Sequence, residues 1–93
     1  HEMMKAAHVY YAGTVQGVGF RYSCRQIAMG FDVTGWVKNL DDGRVELWIQ
    51  GDPGEVAEFL KAVDESHLKG LISKAVVDWT AAEQGLTGFS ISH

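Results

Sequence analysis

Two stretches of this sequence place chemistry-bearing residues at a usable spacing: VQGVGFR (Val15–Arg21) and GWVKN, which ends on Asn39. No proline interrupts Val15 to Arg21, so Val15, Gln16, Gly17, Val18, Gly19, Phe20 and Arg21 all carry a backbone N–H donor. Gly17 and Gly19 have no Cβ, which allows positive φ and lets a ligand approach the main chain. The stretch leads into a helix-like segment, whose first amides lack partners and form the positive end of the dipole. Such a loop can cradle a small oxyanion, with phosphate the usual guest. Arg21 would add a planar, permanently charged fork matched to phosphate oxygens. The competing reading is a tight strand-to-helix turn followed by a solvated arginine, and short glycine motifs alone do not separate the two. Neither G-x-x-x-x-G-K-[ST] nor G-x-G-x-x-G occurs here, so the guest would be a small anion rather than a nucleotide.

The remaining reactive side chains read as structural. Asn39, taken alone before LDDG, is an ordinary turn residue. Asp41 and Asp42 have no His or third carboxylate beside them and suit a turn better than a metal pair. His8, His67 and His93 share no ligand spacing. Cys24 sits on an apolar helical face and lacks a C-x5-R cradle, so it reads as a core residue rather than a nucleophile. Trp36, Trp48 and Trp79 suit packing or edge cover, with Trp36 also a candidate for the wall of a pocket. Lys38 is a solvated strand lysine beside Asn39.

These residues need elements to hold them. HVYYAGT (His8–Thr14) is aromatic and β-branched and reads as a strand. After the glycine loop, Phe20, Cys24, Ile27, Ala28 and Phe31 share one face of a helix that ends near Gly30. Val33–Asn39 and Arg44–Gln50 form a hairpin around LDDG. In its second strand Val45, Leu47 and Ile49 face the core, while Trp48 lies half-exposed opposite. GDPGEV opens a second helix with Asp52 as cap, Pro53 at its first position and Glu55 completing a capping box. Val56, Phe59, Leu60 and Val63 form its buried stripe. Ser66–Ser73 is a loop, Ala75–Thr80 an alternating strand, and GFSISH a short terminal strand. The order β-α-β-β-α-β, with one strand added, predicts an α+β ferredoxin-like split sandwich: an antiparallel sheet with two helices on one face and right-handed crossovers.

The chain's 93 residues suit one domain, read as residues 4–93, with His1–Met3 a vector-derived or disordered start. A composition 46% apolar and 22% charged is that of a globular protein. The net charge of −4 disfavours a nucleic-acid binder, and no uncharged run reaches a bilayer-spanning length. The single cysteine cannot form an internal disulfide and suits a reducing compartment such as the cytoplasm.

GTVQGVGFR (Gly13–Arg21) resembles the first signature of the acylphosphatase family, G-x-V-Q-G-V-x-[FM]-R, and GWVKNLDDGRVELWIQG (Gly35–Gly51) resembles its second. Tyr11 departs from the aliphatic residue usual there, which implies a packing change. The resemblance implies that Arg21 is the catalytic arginine, holding phosphate with the loop amides, and that Asn39 positions the attacking water. It further implies hydrolysis of small acyl phosphates to carboxylate and inorganic phosphate, with no metal, cofactor or covalent intermediate. Phosphate or sulfate would compete, and the protein would act as a cytoplasmic monomer without nucleic-acid or membrane partners. An amide is no strong base, so the substrate's own phosphate or carbonyl oxygen would take the proton. A second reading is a phosphate- or carbamoyl-phosphate-binding module of the kind attached to hydrogenase-type maturation proteins. The absence of linker and zinc-finger sequence disfavours it.

Overall fold

Alternation of apolar residues builds the sheet. β1 (Lys5–Gly13) buries Ala7, Val9 and Tyr11 on one face in this computed structural model, which describes residues 4–92. β2 (Val33–Asn39) adds Val37 to that face, and β3 (Val45–Gly51) adds Val45, Leu47 and Ile49. Against it pack α1 (Phe20–Ala28), through Phe20, Cys24 and Ala28, and α2 (Pro53–Asp64), through Val56, Phe59 and Val63. β4 (Ile72–Ala81) and β5 (Phe89–Ser92) complete a sheet of order β4-β1-β3-β2-β5. Two helices on one face of the sheet make this the expected ferredoxin-like α+β sandwich. Tyr11, buried with its ring 5.1 Å from that of Phe20, takes up the packing change its size implies.

The structure corrects four details. The sheet is mixed rather than antiparallel, because β5 runs parallel to β2, pairing Gly35 with Phe89 through Lys38 with Ser92. The capping box is only half formed. Asp52 Oδ2 accepts from the Gly54 N–H at 3.0 Å, but the Glu55 carboxylate turns away to accept from the Asp32 N–H at 2.8 Å, tying α2 to the start of β2. The segment expected as a loop contains a single 3-10 turn, Lys69–Leu71, and β4 begins directly after it.

The fourth correction concerns β4, where alternation does not produce alternate burial. Ser73 to Ala81 are all exposed, Val76, Val77 and Trp79 among them. α1 packs on β2 and β5, and α2 on β1 and β3, so the helix layer is centred away from the β4 edge. The face opposite the helices carries His8, Tyr10, Trp36, Lys38, Glu46 and Trp48. His8 Nε2 lies 2.6 Å from a Glu46 oxygen, and the Trp36 and Trp48 rings stack at 6.4 Å. Gln50, on the same face, is nevertheless buried: it accepts from the Trp48 indole and the Glu83 N–H and donates to the Glu83 carbonyl, each at 2.9 Å.

Candidate active site

β1 and β2 both pair antiparallel with β3, so they run in the same direction and end at the same edge of the sheet. The chain leaves β1 at Gly13 through the glycine loop, and β2 ends at Asn39. Both therefore arrive at one mouth although β3 lies between the two strands. Strand alternation sets the direction of Asn39. It shares the parity of Gly35 and Val37, so it faces the helix layer, under the start of α1. Lys38 and Trp36 have the opposite parity and leave the site: Lys38 Nζ sits 3.7 Å from Glu46 Oε1 and over the Trp36 ring.

The loop holds its shape through a few contacts. The Thr14 N–H donates to the Leu71 carbonyl at 2.9 Å. Val15 and Phe20 are anchored in the core, while Val18 is exposed. Gly17 and Gly19 take φ of 75° and 77°, a conformation that L-residues rarely adopt, and a Cβ at either would meet no neighbour. Open space beside them is what an approaching ligand requires. The Gly19 carbonyl accepts the first helical bond, from the Ser23 N–H at 2.9 Å. Among the described residues, the backbone N–H groups of Val15, Gln16, Gly17, Val18, Gly19 and Phe20 donate to no carbonyl.

The Gln16 side chain is committed elsewhere. Its Nε2 donates to the carbonyls of Leu40 and Arg44, at 2.7 and 2.9 Å. It thereby pins the glycine loop to the hairpin that carries Asn39, and only its backbone N–H remains available to an anion. The hairpin turn is closed by the Leu40 N–H on the Arg44 carbonyl at 2.8 Å, and Asp42 pairs with Arg44 at 2.8 Å. Asp41 and Asp42 thus do turn work.

A cavity of about 540 Å³ opens at this mouth, and Val15, Gly17, Gly19, Phe20, Arg21 and Asn39 line it. Asn39 Oδ1 is buried and has no partner among the described residues. Arg21 Nη1 donates to the Ser92 carbonyl at 3.1 Å, so the terminal strand steadies the guanidinium. β5 supplies further lining through Phe89, Ser90 and Ile91, and α1 through Tyr22 and Arg25. These residues lie outside the two signatures. For β5 no local signal exists, since its parallel pairing with β2 is a long-range choice. Arg25 did carry one: it stands one helical turn beyond Arg21 on the same face. Cys24 points the other way into the core, where burial pushes its thiol up to about 12 and keeps it protonated. Among the described residues, no three His, Cys, Asp or Glu side chains gather as metal ligands.

The element order, the helix layer and the cavity at the ends of two co-directional strands define a ferredoxin-like α+β protein with a polar pocket. The acylphosphatase family model matches residues 7–91. An acylphosphatase of Thermococcus kodakarensis is 40% identical over 85 residues, covering 91% of this chain and 92% of the relative. The crystal structure of acylphosphatase from Bacillus subtilis superposes with a TM-score of 0.87 at 34% identity, covering 96% of this chain and 99% of that one. Full-length HypF in its phosphate- and nucleotide-bound form contains a similar fold, with a TM-score of 0.85 at 21% identity over 12% of its length. This chain belongs to the acylphosphatase family. It is a hydrolase acting on acid anhydrides of the acyl phosphate type, and no helix among its described residues is long and apolar enough to cross a membrane.

Proposed function

We propose that this chain hydrolyses the carboxyl–phosphate bond of small acyl phosphates at the cavity between the glycine loop and Asn39, without metal or covalent intermediate. The phosphate sits on the loop amides and Arg21, and Asn39 orients the attacking water. The observation that carries this reading is the convergence on a single cavity of main-chain donors, a guanidinium and one buried acceptor that has no partner among the described residues. Loop N–H groups and Arg21 approach from one side, and the buried Asn39 Oδ1 from the other. Buried polar atoms are satisfied in the great majority of cases, so a lone carbonyl oxygen facing a polar cavity is suited to accept from a water.

The chemistry asks little beyond this. An acyl phosphate already has a good leaving group, so positioning and charge stabilisation do most of the work. Preformed amide dipoles and a guanidinium meet the charge on the equatorial phosphate oxygens without reorganising as it develops. Asn39 cannot take the water's proton, so that proton passes to the substrate's own phosphate or carbonyl oxygen. Carboxylate and inorganic phosphate leave, and phosphate or sulfate competes for the same amides. The protein acts as a monomer in this reading, and the buried free Cys24 suits a reducing compartment such as the cytoplasm.

The test is hydrolysis of benzoyl phosphate in the presence of EDTA. Arg21→Ala and Asn39→Ala, with melting curves showing that both fold, are each expected to lower kcat/KM by about 100-fold or more. An inert wild-type protein, or full activity in either variant, would overturn the reading. So would a comparable loss on removing any single His or carboxylate.

A further inference from the structure

The cavity is larger than its phosphate end requires, and its charge is one-sided. Two arginines line it, Arg21 and Arg25, and no carboxylate does, although the chain carries 12 acidic residues against 8 basic ones. Arg25 stands four residues after Arg21 on α1, about 6 Å further along the helix axis and away from the glycine loop. Its guanidinium carbon lies 5.4 Å from the centroid of the Tyr22 ring, itself a lining residue. No carboxylate among the described residues forms an ion pair with Arg25. A cation steadied by an aromatic face and lacking an acidic partner raises the potential where the acyl group must lie.

We propose that Arg25 and Tyr22 form an acyl-end subsite, and that the preferred substrate is an acyl phosphate whose acyl group bears a second anion, a carboxylate or a phosphate. This rests on the phosphate lying on the loop amides and Arg21, as argued above. With the phosphate there, an acyl chain of a few carbons spans one helical turn and brings its distal anion to Arg25. Phe89 and Ile91 of β5 supply the apolar wall along which its methylenes run. Neutral acyl phosphates still react but forgo this charge-assisted contact.

The discriminating pair is succinyl phosphate and butyryl phosphate, which share chain length and differ in the terminal carboxylate. Wild-type kcat/KM at low ionic strength is expected to favour succinyl phosphate by about tenfold, the worth of one hydrogen bond to a charged group. That ratio should fall to near one in Arg25→Gln, stay partly raised in Arg25→Lys and drop below one in Arg25→Glu. Added salt should shrink the wild-type ratio. Phosphoglycoloyl phosphate, measured alongside, tells whether phosphate or carboxylate gains more from Arg25. A wild-type ratio near one for both anionic substrates, or one unchanged in Arg25→Gln, overturns the subsite while leaving the phosphate site standing. Failure to hydrolyse butyryl or benzoyl phosphate at all overturns the phosphate site, and the subsite falls with it.

Discussion

At the scale of single residues, burial separates the atoms that face the cavity from those that only look reactive. Asn39 keeps one buried oxygen that has no partner among the described residues, and Arg21 is steadied by the Ser92 carbonyl. Cys24, on α1 three residues beyond the first signature, carries the most nucleophilic atom type near the loop, yet its thiol is sealed in the core and held protonated by desolvation. This has a consequence for alkaline stability. Below about pH 8.5 the thiol is protonated in both folded and unfolded chains. Above that, the unfolded chain releases its proton while the folded chain retains it, so stability falls as pH rises toward the folded value of about 12. Burial also pushes the Tyr11 hydroxyl up, which adds to the fall at still higher pH. Cys24→Ala should remove on the order of 2 kcal/mol of the stability lost between pH 8 and 10.5. Urea melts at the two pH values measure this, and equal losses in variant and wild type would refute it. Hydrolysis of benzoyl phosphate at neutral pH should be the same in both proteins.

At the scale of elements, the site depends on the join between the glycine loop and the β2–β3 hairpin. Gln16 makes that join by satisfying two hairpin carbonyls at once. Gln16→Leu keeps the bulk and removes both donors, at an expected cost of about 1–2 kcal/mol in stability. It should also lower kcat/KM for benzoyl phosphate by about tenfold, since small misplacements of a loop are expensive in catalysis. Hydrogen exchange should accelerate at the loop amides more than in the core of β3. A variant that loses stability but keeps its kcat/KM would show that the join is structural only. The element pattern was legible from local signals: alternation for β1 and β3, the apolar stripe for α1, and Asp52–Pro53 for α2. The role of Gln16 was not, because its partners lie 24 and 28 residues away and no local spacing marks them.

At the scale of the whole molecule, an anion bound at the mouth bridges the loop, α1 and the end of β2, and so should stabilise the fold by mass action. At tenfold excess over its Kd, phosphate or sulfate should add about 1.4 kcal/mol. For a domain of this size that is a rise of roughly 5–10 °C in melting temperature. Arg21→Ala should show a markedly smaller rise, read by calorimetry with chloride as the control anion. Equal rises in the two proteins would place anion binding elsewhere. The same scale explains β4: its residues alternate in polarity, but two helices shared over five strands leave one edge uncovered. Alternation reports a pleated strand, not what covers it.

Periodicities of two and 3.6, the turn at LDDG, the cap at Asp52 and the unbroken donors of Val15–Arg21 are local properties, and the sequence determined them without help from the fold. Arg21 and Asn39 were singled out by the resemblance of their two stretches to the family's signatures; taken alone, Asn39 read as a turn residue and the glycine loop stayed open between a turn and an anion site. Tertiary structure alone decided that β1 and β2 run in the same direction with β3 between them, which carries the loop and Asn39 to one mouth. It also decided that β5 joins β2 in parallel, bringing Phe89, Ser90 and Ile91 to the cavity and the Ser92 carbonyl to Arg21. Strand adjacency is settled by the burial of whole faces across the chain, a sum over distant residues that no short stretch encodes.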